Sequence, residues 1–189
     1  MPAEPAVRIS YQDYLTFERQ APTKHEYVDG LVLAMAGGSP EHARLAAALA
    51  RSIGNAIAGR PCAVFSSDLR VRIVETQRST YPDLTVVCGA AETAPDDDVA
   101  ITNPMVIVEV LSDSTEADDR GEKFAHYRRI ASLREYVLVA QKTQRIEIYR
   151  REGERWMLTE QGPGTSFELT SLGAKISVDE VYLDPLAQS

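Results

Sequence analysis

The chain has 189 residues and a formal charge of −8, from 28 acidic against 20 basic side chains. That length suits one well-cored domain, and the longest apolar run is too short to cross a bilayer. The acidic balance excludes a protein that coats nucleic acid nonspecifically by neutralising many phosphates, although an enzyme needs only a local basic strip. The opening MPAEPA has neither the basic start nor the apolar stretch of a signal peptide, so a soluble, cytoplasmic protein is expected. Cys62 and Cys88 lack metal-ligand spacing and the density of a secreted scaffold, and both are expected to be free, structural thiols. No linker-like tract divides the chain. Residues 10–183 are expected to form a single domain between a flexible N-terminus, 1–9, and a C-terminal tail, 184–189.

In chain order, SYQDYLTFERQ reads as a short helix capped by Ser10. HEYVDGLVLAMAGG reads as a hairpin turning at Asp29-Gly30, with Glu26 on its first strand. SPEHARLAAALARSIGNAIAGR is the clearest helix: Ser39 caps it, Pro40 suits its first turn, and Leu45, Leu49, Ile53 and Ile57 recur at every fourth position. Extended runs follow at CAVFSSDLRVRI and YPDLTVVCG, then a polar loop, AAETAPDDDVAITN, whose Asp96-Asp97-Asp98 is expected to be solvated. The strand MVIVEVLS, the helical STEADDRGEKFAHYRRI and the strands REYVLVA, RIEIYRR and RWMLTE complete the pattern. The order predicts an α+β or mixed α/β domain, built on a twisted mixed β-sheet flanked by helices. HYRRIASLR, the densest basic stretch, is expected to be a solvated helix end.

Glu109 interrupts the apolar run NPMVIVEVLSDS. A buried carboxylate must be paired, protonated, metal-bound or placed at an opening. A second carboxylate, Asp83, follows Pro82 at the start of another apolar strand. Side chains alternate with period two, so Glu109 shares a face with Ile107 and Leu111, and Asp83 shares one with Thr85 and Val87. In suitable register the two carboxylates converge, and oxygen donors of that kind suit magnesium or manganese. Helical spacing in DRGEKFAHYRR sets Arg120, Lys123 and Tyr127 on one face, from which Lys123 can reach the Glu109 strand. Asp68, in SSDLRV, is expected to accept backbone hydrogen bonds at a strand entry.

HEYVDGLVLAM, SPEHARL, SSDLRVR, YPDLTVVCG, NPMVIVEVLSDSTEADDRGEKFAHYRRI and LREYVLVAQ together resemble the Uma-type family of restriction-endonuclease-like proteins, over about Tyr11 to Tyr182. That family belongs to the PD-(D/E)XK nuclease superfamily. The resemblance implies a restriction-endonuclease-like core and Mg2+- or Mn2+-dependent hydrolysis of DNA phosphodiesters, with a homodimer expected. It implies that Asp83 is the PD aspartate, Glu109 the second acidic position and Lys123 the lysine, with the Val110 carbonyl joining the metal. Leu111 stands where the superfamily's simplest pattern has lysine, and the resemblance moves that role to Lys123 on the following helix. Glu26 and His42 also match family motifs, as supporting residues that either ligate metal or water or serve structure. Arg120 is the alternative cation to Lys123.

A different class fits the same residues: an inactive dimeric accessory or binding protein that keeps the fold, with Glu109 and Lys123 as an ion pair closing a helix onto a sheet. Other enzyme classes fit poorly. AGGSPEH lacks G-x-S-x-G spacing, and neither a phosphate-binding G-x-x-x-x-G-K-[ST] nor a dinucleotide-binding G-x-G-x-x-G follows a strand.

Overall fold

The computed structural model describes residues 7–35 and 37–187. Residues 1–6 of the expected N-terminal segment and 188–189 of the tail lie outside the described residues. Ile9 is tied to the hairpin turn by a 2.9 Å hydrogen bond from its backbone N–H to the Gly30 carbonyl.

The first helix, α1 (Tyr11–Glu18), starts where Ser10 accepts the Asp13 backbone N–H. β1 (His25–Val28) and β2 (Leu31–Ala34) form the expected hairpin. Asp29 and Gly30 both have positive φ, 44° and 90°, the geometry that follows strand twist in a two-residue turn. Gly30 is required there twice over, because a Cβ would lie 2.8 Å from the Arg8 Cβ. α2 (Pro40–Ala56) is capped by Ser39 and buries Leu45, Leu49 and Ile53 completely.

Two six-stranded sheets follow where the element order predicts a single one. The run from Cys62 to Ile73 divides between them as β3 (Cys62–Ser66) and β4 (Arg70–Ile73). Then come β5 (Arg78–Thr80), β6 (Leu84–Cys88), β7 (Thr93–Ala94), β8 (Asp97–Ile101) and β9 (Val106–Leu111). Helices α3 (Glu116–Arg120) and α4 (Glu122–Tyr127) lead to β10 (Glu135–Ala140), β11 (Ile146–Glu152) and β12 (Arg155–Gln161). The chain ends in a small hairpin, β13 (Ser166–Leu169) with β14 (Ala174–Ser177), and α5 (Val178–Tyr182), none of which the sequence reading identified.

The central sheet runs β12-β11-β10-β9-β6-β3 and the second β2-β1-β5-β4-β8-β7. Both are mixed: β9 and β10 are parallel, as are β4 and β8, and the remaining pairs are antiparallel. A parallel pair needs a crossover, and α3–α4 supplies it from β9 to β10. Because β9 alternates, Val106, Val108 and Val110 pack with α2, α5 and the terminal hairpin. Ile107 and Leu111 pack on the other face with Phe124, Tyr127, Tyr136 and with Val71, Ile73 and Ile101 of the second sheet. Glu109 points to that second face, into the layer where the crossover helix meets both sheets.

Three local expectations are corrected. The stretch read as a solvated acidic loop contains β7 and β8, and Asp97 is buried, accepting from Arg70 Nε (2.8 Å), Arg70 Nη2 (3.0 Å) and the Tyr11 hydroxyl (2.8 Å). A run of acidic letters looks solvated until a distant arginine is folded against it. Cys62 and Cys88 are not free thiols: they face each other across β3 and β6, with Cα atoms 4.0 Å apart, and form a disulfide. Sequence spacing carries no information about register, which alone brings them together. Among the described residues, Asp68 receives side-chain donors, Lys24 and the Ser66 hydroxyl, and no backbone N–H group. It is exposed and pairs with Lys24.

Candidate active site

Beyond the Leu84–Val108 rung of the antiparallel β6–β9 ladder, two backbone N–H groups are taken by carboxylates instead of by strand partners. Val110 N–H donates to Asp83 Oδ2 at 2.7 Å, and Asp83 N–H donates to Glu109 Oε2 at 3.3 Å. The two acids therefore sit side by side at the end of the ladder, as period two and an antiparallel register dictate. Glu109 is 3% exposed and lies opposite Leu138 of β10.

The crossover helix closes over Glu109. Tyr127 donates to Glu109 Oε1 at 2.8 Å, and Lys123 Nζ lies 3.0 Å from the same oxygen. Lys123 also donates to Asp119 Oδ1 (3.1 Å) and lies 3.5 Å from Glu26 Oε1. Glu26 comes from β1 of the second sheet, where Arg78 donates to it at 3.1 Å and the Thr80 hydroxyl donates to its other oxygen. At the outer end, His42 Nε2 stands 3.1 Å from Asp83 Oδ2, and its ring faces the Val110 carbonyl. The Asp83 and His42 side chains are 17% and 19% exposed, so solvent reaches the cluster from that side, while Glu109, Lys123 and Asp119 are sealed behind them.

Burial sets the electrostatics. It pushes the Glu109 carboxyl up to about 8, against the pull of Lys123 and with the added repulsion of Asp119, Asp83 and Glu26. Burial alone would lower Lys123, but Glu109, Glu26 and Asp119 outweigh it and hold the ammonium well above the usual lysine range. Burial likewise raises Asp119. Glu26 is lowered despite burial, because Lys123 and Arg78 flank it. The Asp83 hydrogen bond raises His42. Five carboxyl groups, Glu26, Asp83, Glu109, Asp118 and Asp119, thus surround two permanent cations, Lys123 and Arg78. With every carboxyl ionised the cluster would carry more negative than fixed positive charge, and a bound cation would favour that ionised state, which burial opposes at Glu109 and Asp119.

The structure brings together Asp83, Glu109, Lys123, Tyr127, His42, Glu26 and the Val110 backbone. It does not bring Arg120 to them. Gly121 separates α3 from α4, so the even helical spacing from Arg120 to Lys123 is broken. Arg120 instead pairs with Glu116 at 2.9 Å and grips both oxygens of Glu147. Sequence reasoning missed Asp119, Arg78 and Thr80. Asp119 stands four residues before Lys123, a helical pairing distance that was the one available signal. Nothing local marks Arg78 or Thr80, which arrive through the second sheet.

Among the described residues no three His, Cys, Asp or Glu side chains are gathered as a metal cage. A cation here would take the two carboxylates, the Val110 carbonyl and water, which is the donor set of magnesium and manganese rather than of zinc. No helix among the described residues is long and apolar enough to cross a membrane.

The family described as "Uma2: Putative restriction endonuclease" matches residues 11–179. An uncharacterized protein of Synechocystis sp. is 36% identical over 182 residues, covering 96% of this chain and 95% of its own. A second uncharacterized Synechocystis protein is 39% identical over 153 residues, covering 80% of this chain and 86% of its own. A crystal structure described as a putative nuclease belonging to DUF820, from Anabaena variabilis, superimposes with a TM-score of 0.73 at 16% identity, over 92% of this chain and 97% of that one. At that identity the likeness is one of fold.

Proposed function

The chain belongs to the Uma2 family of restriction-endonuclease-like proteins, and from that premise we propose that it is a magnesium- or manganese-dependent endonuclease acting on DNA. The observation that carries the reading is the pairing of Asp83 and Glu109 at the end of the β6–β9 ladder, with Lys123 3.0 Å from Glu109. Asp83, Glu109 and the Val110 carbonyl would hold the cation. When bound, such an ion makes water nucleophilic near neutral pH and polarises the phosphoryl oxygen.

The protein's own groups do the rest. The two carboxylates would hold the cation toward the open edge of the site. Tyr127 and Lys123 lock Glu109 Oε1 inward, which leaves Oε2 on the Asp83 side. The ammonium sets positive charge behind the reacting phosphate, where negative charge grows during in-line attack. His42 lines the approach beside Asp83, and Glu26 secures Lys123 from behind. Residues 10–183 act as one domain. Two copies would cut the two strands of a duplex.

One observation favours the accessory-protein reading: Glu109, Lys123, Asp119 and Glu26 already neutralise one another in part while buried. The test is cleavage of plasmid and short duplex DNA at low salt with magnesium or manganese. Nicking or cutting is expected, stopped by a chelator and by Asp83→Asn with the thermal melt unchanged. Absence of cleavage in both metals, together with no cation binding by calorimetry, would leave the accessory protein.

A further inference from the structure

A lysine ammonium has three N–H donors. Around Lys123 Nζ stand three carboxylate oxygens, Glu109 Oε1 at 3.0 Å, Asp119 Oδ1 at 3.1 Å and Glu26 Oε1 at 3.5 Å. A phosphate oxygen would have to displace one of them. Two of the three have a further donor: Glu109 Oε1 accepts from Tyr127, and Glu26 Oε1 accepts from Thr80.

Asp119 is anchored through its backbone. It is 2% exposed, its backbone N–H donates to Thr115 O at 2.9 Å, and its carbonyl accepts the Tyr136 hydroxyl of β10 at 3.0 Å. It is also the partner to which Lys123 donates with full hydrogen-bond geometry. The helix breaks at Gly121 between them, so the Asp119–Lys123 contact is a tie between two short helices and not a repeat along one.

We propose that Asp119 is a positioning residue, which holds the Lys123 ammonium against Glu109 so that Lys123 serves the cation-binding carboxylate and does not touch the phosphate. This rests on the nuclease reading and narrows it. Lys123 acts through Glu109: with Oε1 drawn inward, Oε2 stays on the Asp83 side, where one ion can be shared. The positive charge then reaches the reacting phosphate from one carboxylate away. Asp119 fixes the long, flexible lysine stem in that one direction.

The test uses the full chain labelled with 15N-lysine. Lys24, Lys142 and Lys175 are changed to arginine, leaving Lys123 as the one lysine of the sequence. A slowly exchanging ammonium signal from Lys123 is expected at neutral pH. Asp119→Asn should broaden or abolish it while the melt stays cooperative, and should lower kcat with KM unchanged. Asp119→Glu should restore the signal at a shifted position, and gives the readout if the asparagine variant does not fold. Adding a short duplex oligonucleotide with Ca2+ should leave the signal without coupling to 31P. A signal indifferent to both Asp119 variants, or one coupled to phosphorus, overturns the proposal. If the duplex fails to bind by fluorescence anisotropy, the nuclease reading falls, and with it the functional half of this inference. The Asp119 variants still decide the positioning half.

Discussion

Lys123→Met and Glu109→Gln remove opposite charges from the same buried cluster, and the structure predicts very unequal costs. Lys123→Met keeps the bulk of the side chain but leaves Glu109, Asp119 and Glu26 facing one another within the reach of a vanished ammonium. Arg78 continues to neutralise Glu26, so two buried carboxylates are orphaned. Removing one partner of a buried ion pair costs roughly 3–5 kcal/mol, and that is the loss expected here. Glu109→Gln keeps the shape and an oxygen for the Tyr127 hydroxyl, and Lys123 keeps Asp119 and Glu26. What it loses is the acceptor for the Asp83 N–H, about 1 kcal/mol, set against relief of the repulsion from Asp119, Asp83 and Glu26. Its net cost should stay below about 1 kcal/mol. Urea unfolding of both single variants and the double variant measures this as a cycle, with a coupling of about 1–3 kcal/mol expected between contacting residues. A Glu109→Gln cost of 3 kcal/mol or more on the scale of a broken buried pair, with Lys123→Met nearly neutral, would refute the charge accounting.

Two further outcomes concern the scaffold. The Cys62–Cys88 bridge closes a loop of 26 residues, so Cys62→Ser/Cys88→Ser should lower stability by roughly 3–4 kcal/mol on the chain-entropy account. The matching check is a lower urea midpoint for the native chain under reductant, and an unchanged midpoint would show that the bridge contributes nothing. Ser39→Ala removes the α2 cap at the His42 N–H and a 2.7 Å hydrogen bond to Gln141, for a cost of about 1–2 kcal/mol. A thermal melt within error of the native one would deny the cap its role.

The grouping of the site's side chains is legible in the sequence where one strand or one helix turn decides the geometry. Asp83 and Glu109 meet because each opens or interrupts an apolar strand and the strands are antiparallel neighbours, so period two puts both acids on one side. Lys123 and Tyr127 meet Glu109 together because four residues make one helical turn. Arg120 failed the same rule because Gly121 stops the helix, and a glycine in a helical pattern does not announce whether it breaks it.

Local residue patterns are enough for the long amphipathic helix, the Asp29-Gly30 hairpin, the order of strands and helices, and the pair of carboxylates on apolar strands. Each follows from spacing and turn chemistry within about twenty residues. Tertiary structure alone decided that Cys62–Ile73 splits between two sheets, that Cys62 and Cys88 stand opposite each other, and that Asp97 is buried against Arg70. It also decided which charges surround Lys123: Glu26 comes from 97 positions upstream on another sheet, and Arg78 reaches Glu26 there. Register and long-range ion pairing are set by which surfaces pack together, and no local pattern of residues encodes them.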